Sequence, residues 1–140
     1  MDEAKIAPRG RSIVPGFWAD FYEETHIPAA ILARGHLYVT GHTGTLDDGT
    51  FPDGEEAQIR QTFRNLGVTL AEAGATWDEV VELTTYHVGL AAQAEPLLRV
   101  AGEFLRDPYP AWTATGVTGL FEPEALVEIS CIALVSDSSA

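Results

Sequence analysis

Tyr109–Val135 reads YPAWTATGVTGLFEPEALVEISCIALV, and its pattern decides the fold. Two extended runs flank Gly119-Leu120-Phe121-Glu122-Pro123, where glycine and proline punctuate the sequence as a turn. The second run places Val127, Ile129, Cys131, Ala133 and Val135 on one alternating face and Leu126, Ile132 and Leu134 on the other. Side chains alternate along a strand, so a run apolar on both faces is a strand covered on both sides. Glu128 interrupts the second face, beside Ser130. A carboxylate there needs hydrogen-bond partners or a wet cleft, and it is the first ionisable group to suspect of a function.

Upstream, Ala30–Ala33 and Leu37–Thr40 read as a hairpin turning at Arg34-Gly35-His36. Gly41-His42-Thr43-Gly44-Thr45 ends that strand in small and polar residues, and residues 46–50 make another turn. Asp53 with Glu56 resembles a reciprocal helix cap, opening a helix that carries Ile59, Phe63, Leu66 and Leu70 at helical spacing and stops near Gly74. Thr76-Trp77-Asp78-Glu79 repeats the capping pattern before the β-rich run 80–88. A second helix is expected to begin around Pro96, since proline suits a first turn, and to carry Leu97, Val100, Ala101 and Phe104 inward.

At the other end, residues 1–11 read as a loose leader and Ser12–Val14 as a short strand. Phe17–Tyr22 is dense in aromatic residues without a clear period; it either packs against a core or a neighbouring subunit, or walls a cleft. The order is strand, hairpin, helix, strand, helix, two strands. Two one-sided helices cover one face of one sheet, so a second copy of the chain is the natural cover for the other.

With 140 residues, 46% of them hydrophobic, residues 1–140 read as one globular α+β domain. No apolar run approaches the ~20 residues of a membrane span. No apolar stretch of signal-peptide type opens the chain, and a single cysteine permits no internal disulfide; both lead us to expect a cytoplasmic protein. The net charge of −13 should repel nucleic-acid phosphates and anionic lipid. No glycine loop has the lysine of a phosphate site, His26, His36, His42 and His87 lack metal-ligand spacing, and no serine elbow is present; neither metal nor cofactor is expected. Cys131, mid-strand, reads as a small buried hydrophobe. What remains is a constellation of Thr40, His42, His87, Trp112 and Glu128. His42, after a glycine, should be exposed or face a cleft, whereas His87 suits a hydrogen-bonded core histidine as well as a ligand contact.

Three segments together carry more. Leu37-Tyr38-Val39-Thr40-Gly41, then Gln58-Ile59-Arg60-Gln61-Thr62-Phe63-Arg64-Asn65-Leu66, then Pro110-Ala111-Trp112 with Val127-Glu128-Ile129, resemble the Rid family of YjgF-like reactive intermediate deaminases. The resemblance runs over residues 28–135, with residues 74–81 and Thr84-Thr85 also in place. It implies a chorismate-mutase-like six-stranded mixed sheet with two helices on one face. It further implies a homotrimer holding a small-molecule cleft at each subunit interface. In the catalytic branch, an arginine of a Pro-Ala-Arg motif grips the substrate carboxylate, a Ser/Thr-Gly segment adds hydroxyl and backbone contacts, and a glutamate of the last strand positions water. The reaction hydrolyses an enamine or imine to a carbonyl compound and ammonia.

Carried onto this chain, Thr40-Gly41 match the Ser/Thr-Gly segment and Glu128 the glutamate. Trp112 stands where the arginine belongs, and the interval to Glu128 is one residue longer than the family pattern. Ligand contacts are therefore expected from Thr40, Gly41, His42, His87, Trp112 and Thr113, with Glu128 as the catalytic group. Arginine holds a carboxylate through two parallel charge-assisted bonds, while tryptophan offers one neutral donor and a flat surface. The expected substrate is thus an imine or enamine other than a simple 2-imino acid, an aromatic or less charged one stacked on Trp112, unless a cation such as Arg34 replaces the arginine. A metabolite-binding protein without catalysis is the alternative. Ribonuclease activity, an old label of the family, is opposed by the charge.

Overall fold

In the computed structural model, which describes residues 6–135 and the side chains of residues 8–135, the deciding run forms β7, Val127–Leu134. Val127, Ile129, Cys131 and Ala133 are buried, whereas Glu128, Ser130 and Ile132 are half-buried. The other strands are β1 (Ile6–Ala7), β2 (Gly10–Ile13), β3 (Ala30–Ala33), β4 (His36–His42), β5 (Val80–His87) and β6 (Ala111–Gly116). They lie in the order β1-β2-β3-β4-β7-β5-β6, parallel only between β5 and β6. The fold is the expected α+β mixed sheet, with the two-residue β1 added at its edge. The two runs of the deciding stretch are not paired with each other, because β5 lies between them.

Local chemistry explains most elements. Arg34 and Gly35 both take positive φ, 52° and 80°, closing the β3–β4 hairpin in two residues and leaving His36 in the strand. Helix α2, Glu55–Glu72, buries Ile59, Phe63, Leu66 and Leu70. Helix α3, Leu90–Ala101, buries Leu97, Val100 and Ala101. These seven side chains join the core above one sheet face, and each of them but Ala101 contributes about 1.5–3 kcal/mol of burial.

Three local expectations change. Gly54, at φ 90°, caps α2 without a side-chain bond, and Glu56 reaches Arg60 and Arg99 instead of closing a box with Asp53. Helix α3 opens at Leu90, so Pro96 sits inside it rather than at its start. Residues 6–13 pair as β1 and β2 where a loose leader was expected as far as residue 11; residues 1–5 lie outside the described residues. The box at Thr76 is present, with the Thr76 amide donating to Glu79 Oε1 at 2.8 Å. A short helix, α1 (Ala19–Thr25), follows the single turn Gly16–Trp18, so the aromatic run is helical.

Candidate functional site

Beyond Val39, strand β4 stops matching β7 residue for residue. Val39 pairs with Cys131 and His42 with Ile129, so Thr40 and Gly41 together oppose Ser130. This is a β-bulge, a device that bends a strand and re-aims its side chains. The bulge puts the bare Cα of Gly41 against Glu128. A Cβ at residue 41 would stand 2.6 Å from the Glu128 Cδ, so only glycine leaves the carboxyl where it is. Thr40 donates its hydroxyl to the Pro28 carbonyl at 2.7 Å, which fixes its rotamer.

Around this point opens a cleft of about 610 Å³, within the range of small-molecule sites. Thr40, Gly41, His42, Thr43 and Glu128 form one side. Phe17, Trp18, Phe21 and Ile27 form an apolar side, and Phe121 with Glu122 closes over from the β6–β7 connection. The aromatic run thus walls a cleft, the second of its two readings. Trp18 lies 4.5 Å from the His42 ring and edge-on to Phe21 at 5.1 Å, and Phe121 meets Phe21 edge-on at 6.0 Å.

Burial raises the Glu128 pKa, and the nearby Glu122 charge raises it further. Glu122 accepts from the Thr43 hydroxyl at 2.6 Å. His42 faces the cleft as expected but is buried rather than exposed. Its Nδ1–H donates to the Thr40 carbonyl at 2.6 Å, and Nε2 pairs with the Thr69 hydroxyl at 2.7 Å. Burial lowers its pKa to about 4 despite the Thr40 bond, so the ring is neutral and structural at ordinary pH.

Thr40, Gly41, His42 and Glu128 therefore come together, and three other expected residues do not. His87 is fully buried, pairing through Nδ1 with Gln93 Oε1 and through Nε2 with Thr85 Oγ1, both at 2.7 Å. It is the core histidine, not a ligand contact. Trp112 pairs in register with Leu83, on the helix-covered face, and donates to Thr85 Oγ1 at 3.0 Å. Glu128 pairs with Tyr86, on the opposite face. Trp112 is thus no part of this cleft. Thr113 is on the open face but out on β6, beyond β5, and does not line it. Arg34 sits at the far end of β4.

Glu122, Phe121 and Asn65 were missed. Asn65 donates to the Thr43 and Thr45 carbonyls at 2.9 and 2.8 Å, holding the loop that floors the cleft. The polar Asn65 on the apolar stripe of α2 was the available signal; Phe121 and Glu122 were hidden in a segment read only as a turn. Among the described residues, no group of three His, Cys, Asp or Glu side chains is placed to hold a metal ion, and no helix is long and apolar enough to cross a membrane.

This helix-backed mixed sheet is a fold that known proteins share. Residues 22–135 match the family described as Endoribonuclease L-PSP. The chain is 38% identical over 121 residues to the RutC family protein YjgH of Escherichia coli, across 86% of this chain and 87% of that protein. It is 33% identical over 110 residues to the RutC family protein slr0709 of Synechocystis, across 76% and 83%. Among solved structures, Protein YJGH matches with a TM-score of 0.84 at 35% identity, covering 92% of this chain and 98% of that one. Rv2704 of Mycobacterium tuberculosis, a member of the YjgF/YER057c/UK114 family, matches at 0.77 and 26%, covering 89% and 98%. The chain belongs to this Rid (YjgF, L-PSP) family.

Proposed function

We propose that the cleft hydrolyses the C=N bond of a small imine, or of an enamine through its imine tautomer, to a carbonyl compound and ammonia. The observation that carries this reading is the Glu128 carboxyl, half-buried over Gly41 and made more basic than an exposed glutamate by burial and by the nearby Glu122 charge. A base works best when its pKa nears the operating pH. Glu128 takes a proton from water as the oxygen attacks the C=N carbon and passes it to the nitrogen, giving a carbinolamine; it then moves the carbinolamine hydroxyl proton to the nitrogen as the C–N bond breaks and the C=O bond forms. Thr40 and the Gly41 backbone orient the ligand. Three copies, packed through the open sheet face, form the working assembly, each completing its neighbour's cleft.

The test is ammonia release across a panel of imines and enamines. Glu128→Gln should lower turnover by about 10²–10⁴-fold, with the fold retained by circular dichroism. No release by the unaltered chain would sink the catalytic reading. It would leave non-catalytic binding of a metabolite, which is favoured by one observation: among the described residues, no lysine or arginine lines the cleft to grip an acid substrate. The ribonuclease activity in the family's description draws no support from a chain of net charge −13.

A further inference from the structure

The charges that one chain brings to the cleft are all of one sign. Asp47, Glu122 and Glu128 line it, and among the described residues no lysine or arginine does. His42, the one other titratable group in the lining, is held neutral. The same cleft is lined by Phe17, Trp18, Phe21 and Phe121, rings whose faces attract cations and pack flat groups. An anionic ligand would meet three carboxylates with no described lysine or arginine of the same chain beside them, whereas a planar cation would meet opposite charge and aromatic surface together. Glu122 is the best placed to set this preference. It sits beside Glu128 at the closing loop, fixed by Thr43, and the mechanism assigns it no proton.

We propose that the cleft selects a flat C=N compound in its protonated, iminium form, bearing an aromatic or apolar substituent and no carboxylate, with Glu122 as the residue that sets the charge preference. Hydrolysis of such a substrate balances as R₂C=NH₂⁺ + H₂O → R₂C=O + NH₄⁺. The inference shares with the preceding reading the assignment of this cleft as the ligand site, but it does not require turnover.

Three probes of nearly one shape separate the possibilities: benzamidinium (cationic), benzamide (neutral) and benzoate (anionic). Binding is followed by tryptophan fluorescence, since Trp18 lines the cleft, and by calorimetry. Benzamidinium should bind about tenfold or more tightly than benzamide, with benzoate weakest, and Glu122→Gln should remove most of that advantage. Benzoate binding as tightly as benzamidinium, or no binding of benzamidinium, overturns the proposal. The ranking is measured on the unaltered chain, so it stands even if the variant misfolds. Charge-selective binding without ammonia release would defeat only the catalytic reading; imine turnover with a preference for benzoate would defeat only this one.

Discussion

Trp112 shows how far a position picked out in sequence can lie from the cleft within one chain. Its indole N–H begins a run of hydrogen bonds through Thr85 and His87 to Gln93, whose amide donates to the Val88 and Leu126 carbonyls at 3.0 and 2.9 Å. Every buried polar atom in that chain has a partner, and burial keeps His87 below its ordinary pKa. Alternation along one strand was legible, but the phase of β6 relative to β7 depends on the intervening β5, which no local pattern records. Glu128 was legible because a carboxylate breaks an apolar run; Glu122 was not, because a charged residue in a turn is unremarkable. His42 supports a prediction at this scale. Its folded-state pKa, about 4, lies below the ordinary 6.5, so its contribution is full above pH 6.5 and is lost as pH falls through 4. The loss should reach about 3 kcal/mol. Urea unfolding from pH 7.5 to 4 should show it starting above the range where exposed carboxylates titrate, and nitrogen NMR should find the imidazole neutral until about pH 4. A ring protonated at pH 6 would contradict this.

Elements were recovered better than their ends. The apolar spacing of α2 located that helix, yet its cap moved to Gly54 because a positive φ, not a side-chain bond, starts the turn. Pro96 misled for a related reason. Inside α3 it forgoes one backbone bond, which burial of Leu97, Val100 and Ala101 offsets. The helices also act through polar residues on their inner faces. Gln58 of α2 donates to the Glu124 carbonyl at 3.1 Å and accepts from the Leu126 amide at 2.9 Å. With Gln93 of α3 it holds the connection that enters β7 and carries Glu122 to the cleft. Gln93→Leu keeps the apolar bulk but strands His87 Nδ1 and two carbonyls. It should destabilise the chain by about 1–3 kcal/mol, read as a lower urea midpoint, with an unchanged midpoint as the contrary result.

For the whole molecule, the sheet has one face under helices and one face open. Tyr38 is 45% exposed and Leu134 45% exposed on that open face, with Ile132 half-buried between neighbouring strands. A second copy was expected from the two-faced apolar pattern of β7, and the described chain accounts for only one of those covers. If three copies meet there, Tyr38→Glu should shift sedimentation from trimer toward monomer and weaken cleft binding at the same time; an unaltered chain that sediments as a monomer would refute the assembly. The strand order has a further consequence, for how the chain is made. β7 lies between β4 and β5, yet it follows the other six described strands in chain order and so leaves the ribosome after them. Until residues 127–134 emerge, β1–β4 and β5–β6 are two half-sheets with exposed edges and no seam between them. Such long-range pairing slows folding and leaves edges open to other chains. The strand that carries Glu128 into the cleft is also the one that joins the two half-sheets into a single sheet.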